Sequence, residues 1–249
     1  MHEKNTFITL TYDPDHLPSD GSLNVKHYQD FTKRLRWHYG ESIRFFHCGE
    51  YGEQNLRPHY HAILFGVDFD DKNLLSVNHK TQQPLFTSPT LTKMWGMGHT
   101  SVGTVTFQSA GYVARYITKK VTGEAAKDHY WSNPDSDGQT HRLKPEYTTM
   151  SRRPGIGKSW FEKYKSDLYP EDSVTIKISD KGGIKKYPIP RYYDKLYELE
   201  QPNEFERIKN ARIEKAKTQA ENNTDERLAV REFCQRQRMR RLERPLEQK

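Results

Sequence analysis

The segment Arg57-Pro58-His59-Tyr60-His61-Ala62-Ile63-Leu64 places two histidines two residues apart in a run rich in strand formers. Side chains alternate faces along a strand, so His59 and His61 point the same way and Tyr60 and Ala62 point the other. Two imidazoles on one rigid strand can offer two ring nitrogens to one divalent metal ion. A hard divalent ion also wants a carboxylate. Glu50, at the end of the strand expected to pair with the histidine strand, is the first choice as third ligand, and Glu53 in the following loop is the second. Tyr60 reads as a packing residue.

A second segment, Gly111-Tyr112-Val113-Ala114-Arg115-Tyr116-Ile117-Thr118-Lys119-Lys120, has helical periodicity. Tyr112 and Tyr116 are four residues apart and share one helix face, with Lys119 and Lys120 close to it. Val113 and Ile117 form an adjacent stripe that can pack on a sheet. Either segment alone is common in structural roles, since amphipathic helices often carry boundary tyrosines. Together they describe a chemistry. A phenol with a pKa near 10 is phenolate in only about one molecule per thousand near pH 7, a deficit of roughly 4 kcal/mol. A metal ion on a phosphate and a nearby ammonium offset part of it. Attack on DNA phosphorus would leave a 5′-phosphotyrosine and a free 3′-hydroxyl. The bond energy is conserved in the covalent link, and a second tyrosine can attack a new junction while the first holds the old end.

These segments must be positioned by a fold. Thr6 to Tyr12 reads as a strand ended by Asp13-Pro14. Val25 to Tyr39 has Tyr28, Phe31, Leu35 and Tyr39 at helical spacing. Ile43 to Glu50 and His59 to Gly66 read as two further strands, and His99 to Phe107 as a fourth. Residues 67–98 read as irregular, with a short helix near Leu91–Trp95, and Ser109 is the expected cap of a helix running to about Val121. The order predicts an α+β fold, a central antiparallel sheet with helices packed on one face. Residues 126–150 read as loop, Ser159 to Leu168 as helix, and Val174–Ser179 with Ile184–Pro188 as a hairpin. From Asn203 onward the chain is rich in Glu, Lys, Arg and Gln, which predicts a solvated helical or partly disordered tail. The expected organisation is a nicking domain over 1–125, a mixed α/β extension over 126–200 and a charged helical tail over 201–249.

Three ordered motifs resemble the replication initiators of the microviruses, most closely the gokushovirus branch, within the HUH endonucleases. They are Phe7-Ile8-Thr9-Leu10-Thr11-Tyr12-Asp13, then Gly49-Glu50-Tyr51-Gly52-Glu53 with Arg57-Pro58-His59-Tyr60-His61, then Tyr112, Tyr116 and Lys119. Met150-Ser151-Arg152-Arg153-Pro154-Gly155-Ile156-Gly157 is also similar to that branch. The resemblance implies His59 and His61 as metal ligands, Tyr112 and Tyr116 as nucleophiles and Lys119 as a phosphate-assisting ammonium. It implies a divalent ion, Mg²⁺ or Mn²⁺, and site-specific nicking and rejoining of origin DNA to start rolling-circle replication. A host helicase would open the duplex and a host DNA polymerase would extend the 3′-hydroxyl. That branch usually carries a cysteine-containing segment before its first strand; here the strand begins almost at the first residue.

Composition is consistent with that reading. The chain of 249 residues carries a formal net charge of +7, which favours a polyanionic partner such as single-stranded or origin DNA over a membrane surface. The two cysteines are far apart, so a disulfide framework and a structural zinc site are not expected. No apolar run reaches the length of a membrane span, the first residues lack the pattern of a signal peptide, and a cytoplasmic location is expected. Gly155-Ile156-Gly157-Lys158-Ser159 imitates the end of a phosphate-binding loop, but the required first glycine is Arg152, so no ATPase is expected. Three alternatives stay open. One is a plasmid initiator or relaxase of the same chemistry, one a non-catalytic sequence-specific DNA-binding protein, and one a zinc hydrolase with a water nucleophile.

Overall fold

The computed structural model describes residues 1–52, 55–79, 82–115, 120–134, 137–177 and 183–240. The chain divides into two compact units, one from His2 to Ile156 and one beginning at Gly157. The first unit is α+β, built on a seven-stranded sheet.

Its strands are β1 (Asn5–Tyr12), β2 (Arg44–Tyr51), β3 (Pro58–Phe65), β4 (Asn73–Val77), β5 (Pro84–Thr87), β6 (Gly98–Thr104) and β7 (Tyr147–Met150). Spatial order is β4-β5-β6-β1-β3-β2-β7, and every pairing is antiparallel. The central strand β3 lies between β1 and β2, with Thr9 opposite His61 on one side and Glu50 opposite His59 on the other.

Period-two alternation divides the side chains between two faces. Ile8, Leu10 and Tyr12 of β1 and Tyr60, Ala62 and Leu64 of β3 face the larger core. Helix α1 (Val25–Tyr39) covers that face. Asn24 caps it by accepting from the Lys26 N–H, and Tyr28, Phe31, Thr32 and Leu35 bury at helical spacing. Helix α2 (Pro89–Trp95) adds Leu91 and Trp95 to the same core. A chain of hydroxyls ties the layers. Tyr60 accepts from the Asn24 N–H at 2.9 Å and donates to its carbonyl at 3.0 Å, while the Tyr12 hydroxyl lies 2.7 Å from that of Tyr60.

Phe7, Cys48 and Ile63 face the opposite side and form a smaller core with Tyr112 and Val113 of helix α3 (Phe107–Arg115). Helices therefore cover both faces, not one as expected. Ser109 does not cap α3. Thr106 does: its hydroxyl accepts from the Ser109 N–H at 3.1 Å, and the Ser109 hydroxyl accepts from the Thr106 N–H at 2.7 Å. This reciprocal arrangement is a capping box, and it moves the helix start three residues earlier.

Two further elements differ from the sequence reading. The β4–β5 hairpin lies in the stretch read as irregular. All five β4 residues are exposed, so no alternation marks them, and pairing through β5 to β6 holds them. Within the stretch read as loop, four residues form β7 at the sheet edge, and five form helix α4 (Ala125–His129).

The second unit holds helix α5 (Lys158–Leu168), a hairpin of β8 (Val174–Lys177) and β9 (Ile184–Tyr187), and helices α6 (Arg191–Glu200), α7 (Pro202–Lys217) and α8 (Asp225–Arg240). Phe161, Leu168, Tyr169, Ile189 and Phe205 form its core. Arg212 bridges Asp172 and Asp194 there. Among the described residues no helix is long and apolar enough to cross a membrane.

Gly98, at φ +132°, opens β6 where a Cβ would sit 2.2 Å from the Asp13 backbone nitrogen. Gly98→Ala is expected to destabilise the first unit by at least about 2 kcal/mol, read by urea unfolding. A second expectation concerns pH. His47 is fully buried on the α1 face, stacked on Tyr28 with its Nδ1 2.8 Å from the Thr149 hydroxyl. Burial holds its imidazole well below its ordinary pKa, with a smaller push from His61. The unfolded chain takes up a proton near pH 6.5 that the folded chain refuses, so this contribution is intact above about pH 6.5 and declines as pH falls. His47→Gln should flatten the fall in stability between about pH 6.5 and 5; an unchanged slope would refute the assignment.

Candidate metal centre

Three residues meet at one end of the β1-β3-β2 sheet. His59 and His61 project from β3 onto the α3 face, and Glu50 projects to meet them from β2. Glu50 Oε1 lies 2.8 Å from His59 Nε2 and 2.9 Å from His61 Nε2. One potential ligand atom from each residue falls within 4.8 Å of the others. Side-chain exposure is 1% for Glu50, 5% for His61 and 17% for His59, so the cluster opens to solvent on the His59 side.

Hydrogen bonding behind the rings aims them. The Arg57 carbonyl lies 3.1 Å from His59 Nδ1. A carbonyl can only accept, so Nδ1 carries the proton and the Nε2 lone pair of neutral His59 faces a carboxylate oxygen. The Thr9 hydroxyl, 2.9 Å from His61 Nδ1, can hold the second ring the same way. Lone pairs aimed at an anionic oxygen need a cation among them, either a proton or a metal ion. Burial by itself would raise the Glu50 pKa, but hydrogen bonds from His59 and His61 outweigh it and hold the carboxyl well below the usual carboxylate range. An ionised, nearly inaccessible carboxylate beside two imidazole nitrogens is a donor set suited to a divalent ion.

Tyr112 stands beside the cluster. Its ring packs edge-on to His61 at 5.5 Å between centroids and to Phe7 at 6.4 Å, and it is 3% exposed. The structure thus brings together four of the residues singled out in the sequence: Glu50, His59, His61 and Tyr112. Tyr116, Lys119 and Glu53 lie outside the described residues. Tyr60 points into the α1 core. Thr9 and the Arg57 carbonyl are functional groups that the sequence does not single out. Their roles depend on register and backbone path, and the only trace is Thr9 alternating with Ile8 and Leu10 in the first strand.

An antiparallel sheet that presents a carboxylate and two imidazoles, with a tyrosine-bearing helix on the same face, defines an α+β domain with a metal-type centre flanked by a phenol. Residues 5–121 match the model of the replication-associated protein ORF2 family. The chain is 36% identical over 209 residues to the Replication-associated protein ORF2 of Spiroplasma virus 4, covering 81% of this chain and 60% of that protein. It is 32% identical over 213 residues to the Replication-associated protein VP4 of Bdellovibrio phage phiMH2K, covering 82% and 61%. It is 31% identical over 202 residues to the Replication-associated protein ORF4 of Chlamydia phage 1, covering 78% and 46%. No solved structure matches it. The chain belongs to the replication-associated proteins of the microviruses. It matches about 60% of the length of the first two relatives and less than half of the third.

The Thr9 contact carries a prediction. Thr9→Val keeps the shape and removes the hydroxyl behind His61. Affinity for Mn²⁺, read by titration calorimetry on the full chain, should fall about 10–100-fold, while Thr9→Ser should stay near wild type. Equal affinity in Thr9→Val would show that the hydroxyl does not orient a ligand.

Proposed function

We propose that this domain is a nicking and joining nuclease that initiates rolling-circle replication of a small circular genome. The observation that carries the reading is the Tyr112 ring against His61, beside a buried carboxylate that meets two imidazoles. The net charge of +7 and the names of the relatives support it.

Glu50, His59 and His61 would hold a divalent ion, Mg²⁺ or Mn²⁺, which when bound supplies Lewis-acid polarisation of a scissile phosphate. The chain's own residues do the rest. Thr9 and the Arg57 carbonyl keep the imidazoles aimed. The phenol oxygen of Tyr112 or Tyr116 attacks phosphorus as its proton is lost. A phosphorus–oxygen bond forms to tyrosine, and the bond to the 3′-oxygen breaks. That oxygen takes up a proton and leaves as the 3′-hydroxyl, and the 5′ end stays on the enzyme. Lys119 would stabilise the charge on the phosphoryl group in the transition state. Attack by the second tyrosine on a new junction would then let the first link be resolved by the returning 3′-hydroxyl. A host polymerase and helicase would serve the exposed 3′ end.

The test is incubation of the full chain with single-stranded origin oligonucleotides and Mn²⁺, with mass analysis of protein-linked DNA. Tyr112→Phe and Tyr116→Phe are each expected to retain some adduct, mapped to the remaining tyrosine, and the double variant none. His59→Ala and His61→Ala should lose cleavage while keeping most DNA binding, because phosphate contacts elsewhere carry affinity. Glu50→Gln should cost more activity than Glu53→Gln. DNA binding with no adduct under any divalent ion would favour a non-catalytic DNA-binding protein, and an adduct persisting in the double variant would place the nucleophile elsewhere.

A further inference from the structure

Beside the strand that carries His59 the surface holds a groove of about 420 Å³. That lies within the roughly 300–1,000 Å³ of sites that enclose small organic groups. Its lining includes the apolar side chains of Leu17, Leu56 and Leu143 together with Asn55, Asn133 and Arg57. Leu143 is buried, whereas Asn55 and Asn133 are exposed. Apolar walls with a few amide groups suit a flat heteroaromatic ring, which needs apolar contact over its faces and hydrogen bonds at its edge.

The groove is connected to the metal centre through backbone. The Arg57 carbonyl that accepts from His59 Nδ1 also accepts from the Gly52 N–H at 3.0 Å, and the Leu56 N–H donates to the Gly52 carbonyl at 3.0 Å. Leu56 is held at φ +48°, a left-handed conformation that leucine rarely adopts. A groove wall and an orienting contact of a candidate metal ligand therefore belong to one short, tightly bonded turn. Arg57 Nε, in the same turn, is buried with no hydrogen-bond partner. A guanidinium with an unused donor beside an apolar slot matches a nucleotide, with its phosphate outside and its ring within.

We propose that this groove receives one unpaired base of single-stranded DNA, a few nucleotides at most from the phosphate held at the His59 end. The proposal rests on the nuclease reading above and adds to it a place where an individual nucleotide is read. A base inside a duplex has its faces stacked and its edge paired, so the groove selects melted DNA. The amides of Asn55 and Asn133 give the site a preference among bases, because amide groups pair differently with each base edge.

The experiment is an abasic scan. Fluorescent single-stranded oligonucleotides spanning the cut, each with one base removed, are titrated against the full chain in chelator, so that affinity alone is read. One position near the cut should lose about 10-fold in affinity, the scale of one base contact. Two variants then address the groove, Asn55→Ala with Asn133→Ala, and Leu17→Trp, which fills it. Each should bind the intact oligonucleotide more weakly and reduce the penalty at that one position to under about 2-fold, with the other positions unchanged. Penalties that are the same in wild type and both variants overturn the proposal, as does an equal loss for every oligonucleotide. Full competition by duplex DNA of the same sequence overturns it too. Adduct formation with Mn²⁺ is scored separately. A chain that forms the adduct but shows no groove-dependent position keeps the nuclease reading and loses this one. A chain with the groove-dependent position and no adduct does the reverse.

Discussion

Thr9, His61 and Glu50 sit on three different strands, and one register of β1, β3 and β2 brings them within contact. Thr9 lies opposite His61 and Glu50 opposite His59. Side-chain direction reverses at every residue along a strand, so a slip of one position would send both imidazoles into the α1 core and Tyr60 to the surface. The apolar pattern prevents that slip. Ile8, Leu10, Tyr60, Ala62 and Leu64 are almost wholly buried on one face, and exposing them would cost far more than any gain at the site. The polar cluster is held in place by hydrophobic burial on the opposite side of the same strands.

That dependence explains how a carboxylate with 1% exposure is tolerated. Burying an ion is costly unless it is paired and hydrogen-bonded. Glu50 has two imidazole partners on its neighbouring strand, and each ring is fixed from behind, by a backbone carbonyl for one and a threonine hydroxyl for the other. The site is preorganised because its supports are parts of the sheet. Helix α3 completes it from outside: Val113 is fully buried on Phe7 and Ile63, which sets Tyr112 against His61.

The two sheet faces have separate work. The α1 face is closed by α1 and α2 and by the Tyr12, Tyr60 and Asn24 hydrogen bonds, and it supplies stability. The α3 face is smaller, ends at the cluster and leaves it partly open at His59. The second unit has its own aromatic core and an ion-paired arginine, and α8 is exposed along most of its described length.

Much of this is legible in the amino-acid sequence because the relevant signals are local. The period of two in TFITLTY and HYHAILFG marks β1 and β3 and puts His59 and His61 on one face, and the helical spacing of Tyr28, Phe31 and Leu35 marks α1 with its observed ends. Glu50 can be named from strand order once a hairpin is expected. The elements that the sequence does not reveal are held by partners distant in sequence. Strand β7 has four residues and pairs with β2 about a hundred positions earlier, and β4 has no buried face to give it a pattern. The capping box of α3 is hidden because Thr106 and Ser109 are both good caps, and only their reciprocal hydrogen bonds show which one begins the helix. Tertiary structure alone decides that both imidazoles converge on a single oxygen of Glu50, that Thr9 and the Arg57 carbonyl stand behind them, and that Tyr112 packs on His61. Sequence periodicity sets the direction of a side chain relative to its own backbone, whereas these contacts depend on the register between strands and on the packing of a helix across them.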